Sequence, residues 1–148
     1  MTSDPDLDRF RDLSYQEFRR LAADPEISKY NRIGFPDSYR AGFEAAIFRD
    51  IRAKLPGLDG GKRVVLDIGP GCSELPIFLT ELCREQGNRL IQVDSAEMLA
   101  HLPDDEFIRK VEGPFPDCMA LLCEDAPNGI DVIVCYSVLH YVFVDADL

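Results

Sequence analysis

Two aspartates that close apolar runs are the residues of this sequence best suited to hold a ligand. Asp67 lies in the run 64–68 and is followed by the glycine-containing turn 69–71, and Asp94 follows a second run, 90–93. Such runs are typical of strands buried on both faces, and glycines let the backbone approach a bound molecule without an intervening Cβ. An acid after the second strand is also where α/β nucleotide sites bind a ribose. The pattern therefore predicts a nucleotide-type ligand held by two carboxylates.

The residues after the first run argue against a nicotinamide dinucleotide as that ligand. A dinucleotide fingerprint has the form G-x-G-x-x-G, and here Glu74 stands where the third glycine would be. The Asp67 carboxylate precedes the first glycine by two residues, which suits a cationic amino group better than a pyrophosphate. An unrelated nucleotide-binding α/β protein, an oxidoreductase included, stays a lower-ranked alternative.

The composition indicates one globular domain and argues against several classes of partner. The chain has 148 residues, of which 46% are hydrophobic, enough for one core and hardly more. Its formal net charge of −11 argues against nucleic-acid binding, which needs clustered lysines and arginines. No apolar run approaches the roughly 18 residues that span a bilayer, and the N-terminus is too acidic for a signal peptide. We therefore expect a cytoplasmic protein without a membrane or nucleic-acid partner.

The cysteines predict neither a disulfide framework nor a metal site. They are odd in number and scattered among apolar neighbours, as reduced, buried thiols are: Cys72, Cys83, Cys118, Cys123 and Cys135. Cys118 and Cys123 are too far apart for a C-x-x-C pair, and no histidine lies near them in sequence. We expect no bound metal.

The rest of the sequence supplies the elements that must position these side chains. Residues 1–60 have helical periodicity and form a prefix, in which Ser14 and Glu17 have the spacing of a capping box and a longer helix runs from near Pro36 towards Lys54. Residues 61–148 alternate short apolar runs with helical stretches, as βαβ units do. The predicted strands are 63–68, 89–93, 106–111 and 130–136, and the predicted helices between them are 72–86, 95–101 and 117–124.

Residues 62–141 resemble the class I S-adenosylmethionine-dependent methyltransferases. The first motif of that family is matched by Val-Leu-Asp-Ile-Gly-Pro-Gly-Cys-Ser at 65–73, the second by Val-Asp-Ser at 93–95, and the fourth by Ile-Asp-Val-Ile-Val-Cys-Tyr-Ser at 130–137. The resemblance implies an α/β fold with a Rossmann-like, mostly parallel sheet in the order 3-2-1-4, flanked by helices. It also implies S-adenosylmethionine as cofactor and methyl transfer to a small-molecule or sugar-type acceptor. The alternative is a non-catalytic S-adenosylmethionine-binding or interaction module.

The resemblance further implies which residues hold the cofactor. Asp94 would accept hydrogen bonds from both ribose hydroxyls, and Asp67 would act near the ammonium group, directly or through water. The turn of Gly69, Pro70 and Gly71 would lie beneath the cofactor. Further positions would lie beside the adenine, the ribose or the methyl region: Ser95, Met98, Glu112, Gly113, Phe115, Tyr136 and Ser137. Other interpretations stay open, since either aspartate could cap a helix and Met98 could belong to a helix core.

Methyl transfer from a sulfonium requires alignment above all, and a hydroxyl acceptor usually benefits from a general base. His140 is the candidate base, with Tyr141 or Asp145 as substitutes, although a half-buried structural histidine is the simpler interpretation. The segment 29–40, rich in aromatic and charged residues, is either a lid over the donor or an ordinary interhelical loop.

The fourth predicted strand, 130–136, would form an edge of the sheet although it is apolar enough to be covered on both faces. We expect a homodimer through this edge, packing of the helical prefix against it, or a longer protein of which this chain is a piece. In a complete fold of the family, later strands would follow and help to form the acceptor pocket.

Overall fold

The computed structural model describes residues 5–139 and 141–142, and its centre is a four-stranded parallel sheet. The strands are β1 (Val64–Ile68), β2 (Arg89–Asp94), β3 (Ile108–Glu112) and β4 (Val132–Val134), in the order β3-β2-β1-β4. Helices flank the sheet. The predicted Rossmann-like α/β fold and its strand order are thus confirmed.

The helices of the described residues fall into two groups. The prefix contains α1 (Pro5–Asp8), α2 (Tyr15–Ala23), α3 (Lys29–Arg32), α4 (Asp37–Arg40) and α5 (Glu44–Lys54), followed by a 3-10 turn at Pro56–Asp59. The helices that connect the strands are α6 (Glu74–Gln86), α7 (Ala96–Leu99) and α8 (Met119–Asp125). Each strand is therefore followed by a helix before the next parallel strand begins.

The register of the sheet aligns the carboxyl ends of its strands. Ile68 at the end of β1 lies opposite Val93, and Asp94 at the end of β2 lies opposite Glu112 of β3. Because the strands are parallel, the turns that leave them meet along one edge, which is where open α/β sheets bind their ligands.

Successive side chains of a strand point to opposite faces of the sheet, and each face has its own core. Val65 packs with Leu79 of α6 on one face, whereas Leu66 packs with Leu122 of α8 on the other. Asp67, two residues after Val65, therefore points towards the face that α6 covers. This assignment decides which helices surround the first carboxylate.

The prefix agrees with its predicted start and departs from its predicted second helix. Ser14 Oγ accepts a hydrogen bond from the backbone of Glu17, whose side chain accepts one from the Ser14 backbone, so the capping box is confirmed. The prediction of a single helix from Pro36 to Lys54 is wrong, because α4 ends at Arg40 and α5 begins only at Glu44. Gly42 between them has a φ of +81°, a left-handed conformation that interrupts a right-handed helix and that glycine adopts without strain.

β4 is shorter than the predicted 130–136 and pairs, within the described residues, with β1 alone. Its three residues pair with Val65, Leu66 and Asp67 of β1, and the chain then continues to Tyr136 at the carboxyl ends of the strands. Ile133 at this edge remains 52% exposed. A homodimer that covers this edge stays a prediction, and light scattering would test it.

Membrane spans, cysteines and metal ligands are described for residues 5–139 and 141–142 as follows. No helix there has the length and apolarity needed to cross a membrane. All five cysteines are free thiols, and those at 83 and 118 are buried. No cluster of three or more potential metal ligands occurs among the same residues.

Candidate functional site

A cavity of about 420 Å³ lies at the carboxyl ends of the strands and extends beneath the prefix. Its floor is the turn 69–71 after β1, and both Asp67 and Asp94 line it. Residues of α2, of the segment 33–40 and of α5 form its roof and one wall. The volume falls within the roughly 300 to 1,000 Å³ that small-molecule pockets occupy.

Asp94 occupies the end of β2 and bridges two turns. Its Oδ2 accepts a hydrogen bond from the backbone N–H of Gly71 at 3.1 Å, and its Oδ1 accepts one from the N–H of Ser95 at 2.8 Å. Burial raises the pKa of Asp94 to about 6, and these two hydrogen bonds act in the opposite direction. Each carboxylate oxygen retains a free lone pair, because an ionised carboxylate offers about four acceptor sites.

Asp67 is more deeply placed, with a relative exposure of 5%. Burial, followed by the negative charge of Asp94, raises the pKa of Asp67 to about 8. Among the residues that the structure describes, no hydrogen bond or positive charge offsets this rise. A carboxyl group held this way is neutral without a ligand and gains most from a bound cation.

The glycines of the turn are required by protein packing as well as by conformation. Gly69 and Gly71 have φ values of +63° and +68°, which side-chain-bearing residues rarely adopt. A Cβ on Gly69 would lie 2.5 Å from Val138 Cγ2, and a Cβ on Gly71 would lie 2.6 Å from Ile33 Cγ2. The turn is therefore clamped between the segment after β4 and the prefix.

Most of the other predicted positions also line the cavity. These are Pro70, Met98, Gly113, Phe115, Tyr136 and Ser137. Ser137 has a φ of +57°, an uncommon conformation for a serine. Met98 is 3% exposed and so belongs to the helix core as well.

Four predicted positions are placed elsewhere or are not described. Ser95 is buried and caps α7, since its Oγ accepts from the N–H of Met98 at 3.2 Å. Glu112 is exposed on the edge strand β3, and neither it nor Ser95 is among the described residues that line the cavity. The candidate base His140 and its substitute Asp145 lie outside the described residues.

The prefix is fastened over the cavity by polar contacts with the core. Tyr30 Oη donates to Glu74 Oε1 at 2.6 Å, and Lys29 Nζ lies 2.6 Å from the same oxygen. Arg19 of α2 forms an ion pair with Glu97 of α7 at 2.7 Å. The segment 29–40, interpreted from sequence as a lid or a loop, thus forms a wall of the cavity that is bonded to the first residue of α6.

A buried ion pair in this wall was missed by the sequence analysis. Arg40 and Glu44 are 5% and 2% exposed, and Nε and Nη2 of Arg40 each lie 2.8 Å from Glu44 Oε1. Glu44 Oε2 in turn accepts from the backbone N–H of Leu75 at 2.7 Å. Two opposite charges four residues apart are a recognisable pattern, but such pairs occur mostly on exposed helix faces, where they hold no ligand.

Aromatic residues of the prefix were also missed. Tyr15 and Phe18 of α2 and Phe35 of the segment 33–40 line the cavity. Tyr15 and Asp94 line the same cavity, so the start of α2 lies near the end of β2, and burial followed by the negative charge of Asp94 raises the pKa of Tyr15 to about 12. The helical spacing of Tyr15 and Phe18 in the sequence indicated only a buried helix face, whereas Phe35 belongs to the segment 29–40 that was interpreted as a lid or a loop.

The charges of the lining are predominantly negative. Among the described residues it contains three acids, Asp67, Asp94 and Asp117, and one base, Arg40. A cavity with this balance favours a ligand with a net positive charge and disfavours a polyphosphate.

Comparison of the sequence with protein-family models and with curated proteins finds no match.

Proposed function

We propose that this chain binds S-adenosylmethionine and transfers its methyl group to a small-molecule or sugar-type acceptor. The observation that carries the proposal is the arrangement of Asp67 and Asp94, which lie near the carboxyl ends of adjacent parallel strands, flank one glycine turn and open onto one cavity. Few ligands need two carboxylates in such a place. An adenosyl compound with a ribose diol and an α-ammonium group is one of them.

The residues present fit the separate parts of that molecule. Asp94 keeps acceptor capacity on both oxygens for the ribose hydroxyls, and each charge-assisted bond contributes about 1.5 to 3 kcal/mol. Asp67 supplies the counter-charge for the ammonium group, which would return its raised pKa towards an ordinary value. Phe115 and Met98 offer an apolar surface to the adenine, as rings and thioethers do for a planar base.

The charge of the lining favours this ligand over a dinucleotide. S-adenosylmethionine carries a sulfonium and an ammonium against one carboxylate, whereas a dinucleotide brings a doubly negative pyrophosphate to the glycine turn. The Asp94 carboxylate would repel a pyrophosphate at that position, and the turn carries no lysine or arginine to attract one. The oxidoreductase alternative is therefore weaker than the methyltransferase proposal.

When bound, the cofactor supplies a methyl group that its positively charged sulfur already activates. The chain's contribution would be alignment of the acceptor and exclusion of water, which the prefix wall provides by covering the strand ends. Burial, followed by the charge of Asp12, raises the pKa of Tyr141, so its phenol stays protonated near neutral pH and does not serve as a base there. His140 stays the proposed base for an acceptor that needs one.

Titration calorimetry with S-adenosylmethionine, S-adenosylhomocysteine and NAD tests the proposal. We expect both adenosyl compounds to bind with micromolar or tighter dissociation constants and NAD to give no heat of binding. Transfer of a labelled methyl group to a panel of sugars and small hydroxyl or amine compounds then tests turnover. Binding of NAD alone would refute the proposal, and binding without turnover on any acceptor would favour a non-catalytic module.

A further inference from the structure

The cavity extends from the glycine turn into a part whose side chains are apolar. Four of its lining residues belong to the core cluster that α6 covers, or pack against that cluster, and we call them the apolar region: Phe48, Ile51, Leu79 and Val134. None of these four side chains carries a hydrogen-bonding group. The proposed function places no part of the donor on them, so they border space for a second molecule.

The apolar region lies in the seam between α5 and α6. Glu44 Oε2 accepts a hydrogen bond from the backbone N–H of Leu75, which joins the first turns of the two helices. One turn further along, the ring centroids of Phe48 and Phe78 lie 5.7 Å apart. Leu79 follows Leu75 by four residues and so lies on the same face of α6. Glu44 and its buried ion pair therefore stand at one end of the apolar region.

The other member of that ion pair, Arg40, brings hydrogen-bond donors to this end of the region. Arg40 lines the cavity, and its guanidinium carbon lies 4.6 Å from the ring centroid of Phe35 and 5.5 Å from that of Tyr136. Glu44 Oε1 lies 2.8 Å from both Nε and Nη2, and Nη1 has no hydrogen-bond partner among the residues that the structure describes. A guanidinium held in this way is a preorganised fork, which matches a carboxylate.

The end of β4 connects this cation, the apolar region and the first carboxylate. Val134 belongs to the apolar region, and it pairs with Asp67 across β1 and β4. Tyr136, which the guanidinium approaches, follows Val134 by two residues. The apolar region therefore adjoins the part of the cavity in which the proposed donor is held, as an acceptor site must.

The chemistry of these groups distinguishes between classes of acceptor. A sugar presents hydroxyl groups over most of its surface, and burying a hydroxyl without a hydrogen bond is unfavourable. The apolar region supplies no partners for such groups, whereas burial of an aromatic ring there is favourable. The guanidinium of Arg40 favours an anionic substituent on that ring, whose charge would also complement the net positive charge of the donor.

We propose that the methyl acceptor is a small aromatic hydroxy acid, with its ring in the apolar region and its carboxylate bound to Arg40. This inference rests on the proposed function and narrows its acceptor from small molecules and sugars to one class. The acceptor's hydroxyl oxygen would form the new bond to the methyl carbon, while the electron pair of the broken carbon–sulfur bond stays on sulfur. The hydroxyl proton would pass to the proposed base, His140.

Titration calorimetry of the chain saturated with S-adenosylhomocysteine tests this inference with three probes. Para-hydroxybenzoate has the ring and the carboxylate, para-hydroxybenzamide has the ring without the charge, and glucuronate has the carboxylate on a sugar ring. We expect para-hydroxybenzoate to bind at least about tenfold more tightly than either of the others, because each of them lacks one of the two contacts. In the double variant Arg40→Met, Glu44→Gln, the acid and the amide should bind within about twofold of each other. That variant removes both charges together and leaves an amide oxygen to accept from Leu75.

The matched control is the double variant Arg19→Met, Glu97→Gln. It removes another ion pair between the prefix and the core, but neither residue is among the described residues that line the cavity, so the preference for the acid should be retained. If the Arg40 double variant fails to fold, Arg40→Lys replaces it. The preference should then fall several-fold, because an ammonium lacks the planar fork.

No binding of any probe, equal binding of the acid and the amide, or binding of glucuronate as tight as that of the aromatic acid would overturn the inference and leave the proposed function standing. A preference for the acid that persists without Arg40 would also overturn it. So would a folded Arg40 variant that no longer binds S-adenosylhomocysteine, because Arg40 would then contact the donor instead. Failure of the wild-type chain to bind S-adenosylhomocysteine would refute the proposed function itself.

Discussion

Asp94 accepts a hydrogen bond from the backbone N–H of Gly71, with 3.1 Å between Oδ2 and the nitrogen. This bond joins the end of β2 to the turn after β1, so the acid and the glycine turn form one structural unit. A ligand that contacts either part therefore meets a surface whose relative position is already fixed, which reduces the cost of ordering it on binding.

Replacement of Asp94 by alanine should abolish most of the affinity for S-adenosylhomocysteine. Two charge-assisted hydrogen bonds to the ribose would be lost, so we expect a dissociation constant at least about 100-fold higher in calorimetry. The matched control is Asp104→Ala. Asp104 is an exposed acid that precedes β3, towards the amino ends of the strands, and it pairs with Lys110. It should leave the affinity unchanged.

Thermal melting of both variants separates loss of binding from loss of fold, because Asp94 also supports the glycine turn. An Asp94→Ala chain that melts as a folded protein and still binds with wild-type affinity would remove the ribose assignment.

The ligand-free chain should become less stable as the pH rises from about 6 to 8. Burial raises the pKa of Asp67 to about 8 from its ordinary 3.8, so in this window the folded chain holds a proton that the unfolded chain has already released. The free energy of unfolding should therefore fall by up to about 1.4 kcal/mol per pH unit through this group. Urea denaturation at pH 6, 7 and 8 measures the slope.

The variant Asp67→Asn has the same shape and no proton to lose. Its stability should vary less with pH over that range, and a slope equal to that of the wild type would show that another group is responsible.

Gly71→Ala should destabilise the chain more than Gly87→Ala does. Both glycines have nearly the same φ, +68° and +69°, so both substitutions incur a left-handed cost of about 1 to 2 kcal/mol. Only at position 71 would the added Cβ meet another residue, Ile33 Cγ2 at 2.6 Å, whereas nothing lies within 4 Å at position 87. We expect about 1 to 3 kcal/mol of additional destabilisation from this overlap, measured by urea denaturation.

The double variant Gly71→Ala, Ile33→Ala removes the atom that the new Cβ would strike. Its stability should exceed the value expected from adding the two single effects. If the two single effects on the free energy of unfolding add exactly, Ile33 does not contact the glycine turn as closely as the structure shows.

Glu44→Ala should be among the most destabilising substitutions in the prefix. It leaves the Arg40 charge buried without a partner and removes the acceptor of the Leu75 N–H, a type of loss that costs about 3 to 5 kcal/mol. Glu97→Ala breaks another link between the prefix and the core, to Arg19, but the two side chains are 41% and 28% exposed, so its loss should change the melting temperature little. Similar effects of the two variants would contradict the distinction between a fully buried and a partly exposed pair.

The sequence by itself determined the sheet and the location of its ligand edge. Apolar runs of five or six residues separated by helical stretches can be buried only as parallel strands with helices on both faces, and strands of that kind bring their carboxyl ends together. Asp67, Asp94 and the glycine turn were therefore predictable as neighbours. The capping box at Ser14 was predictable for a similar reason, because it depends on residues three positions apart.

Only the tertiary structure decided how the prefix completes the cavity. The contacts of Ile33 with the glycine turn, of Glu44 with Leu75 and of Arg40 with Tyr136 join residues that are 31 or more positions apart. Helical periodicity predicts that one face of a helix is buried. It does not predict which element covers that face, because this depends on the shapes of both surfaces. The left-handed Gly42, which breaks the predicted helix and turns α5 onto α6, is a local feature whose consequence is equally non-local.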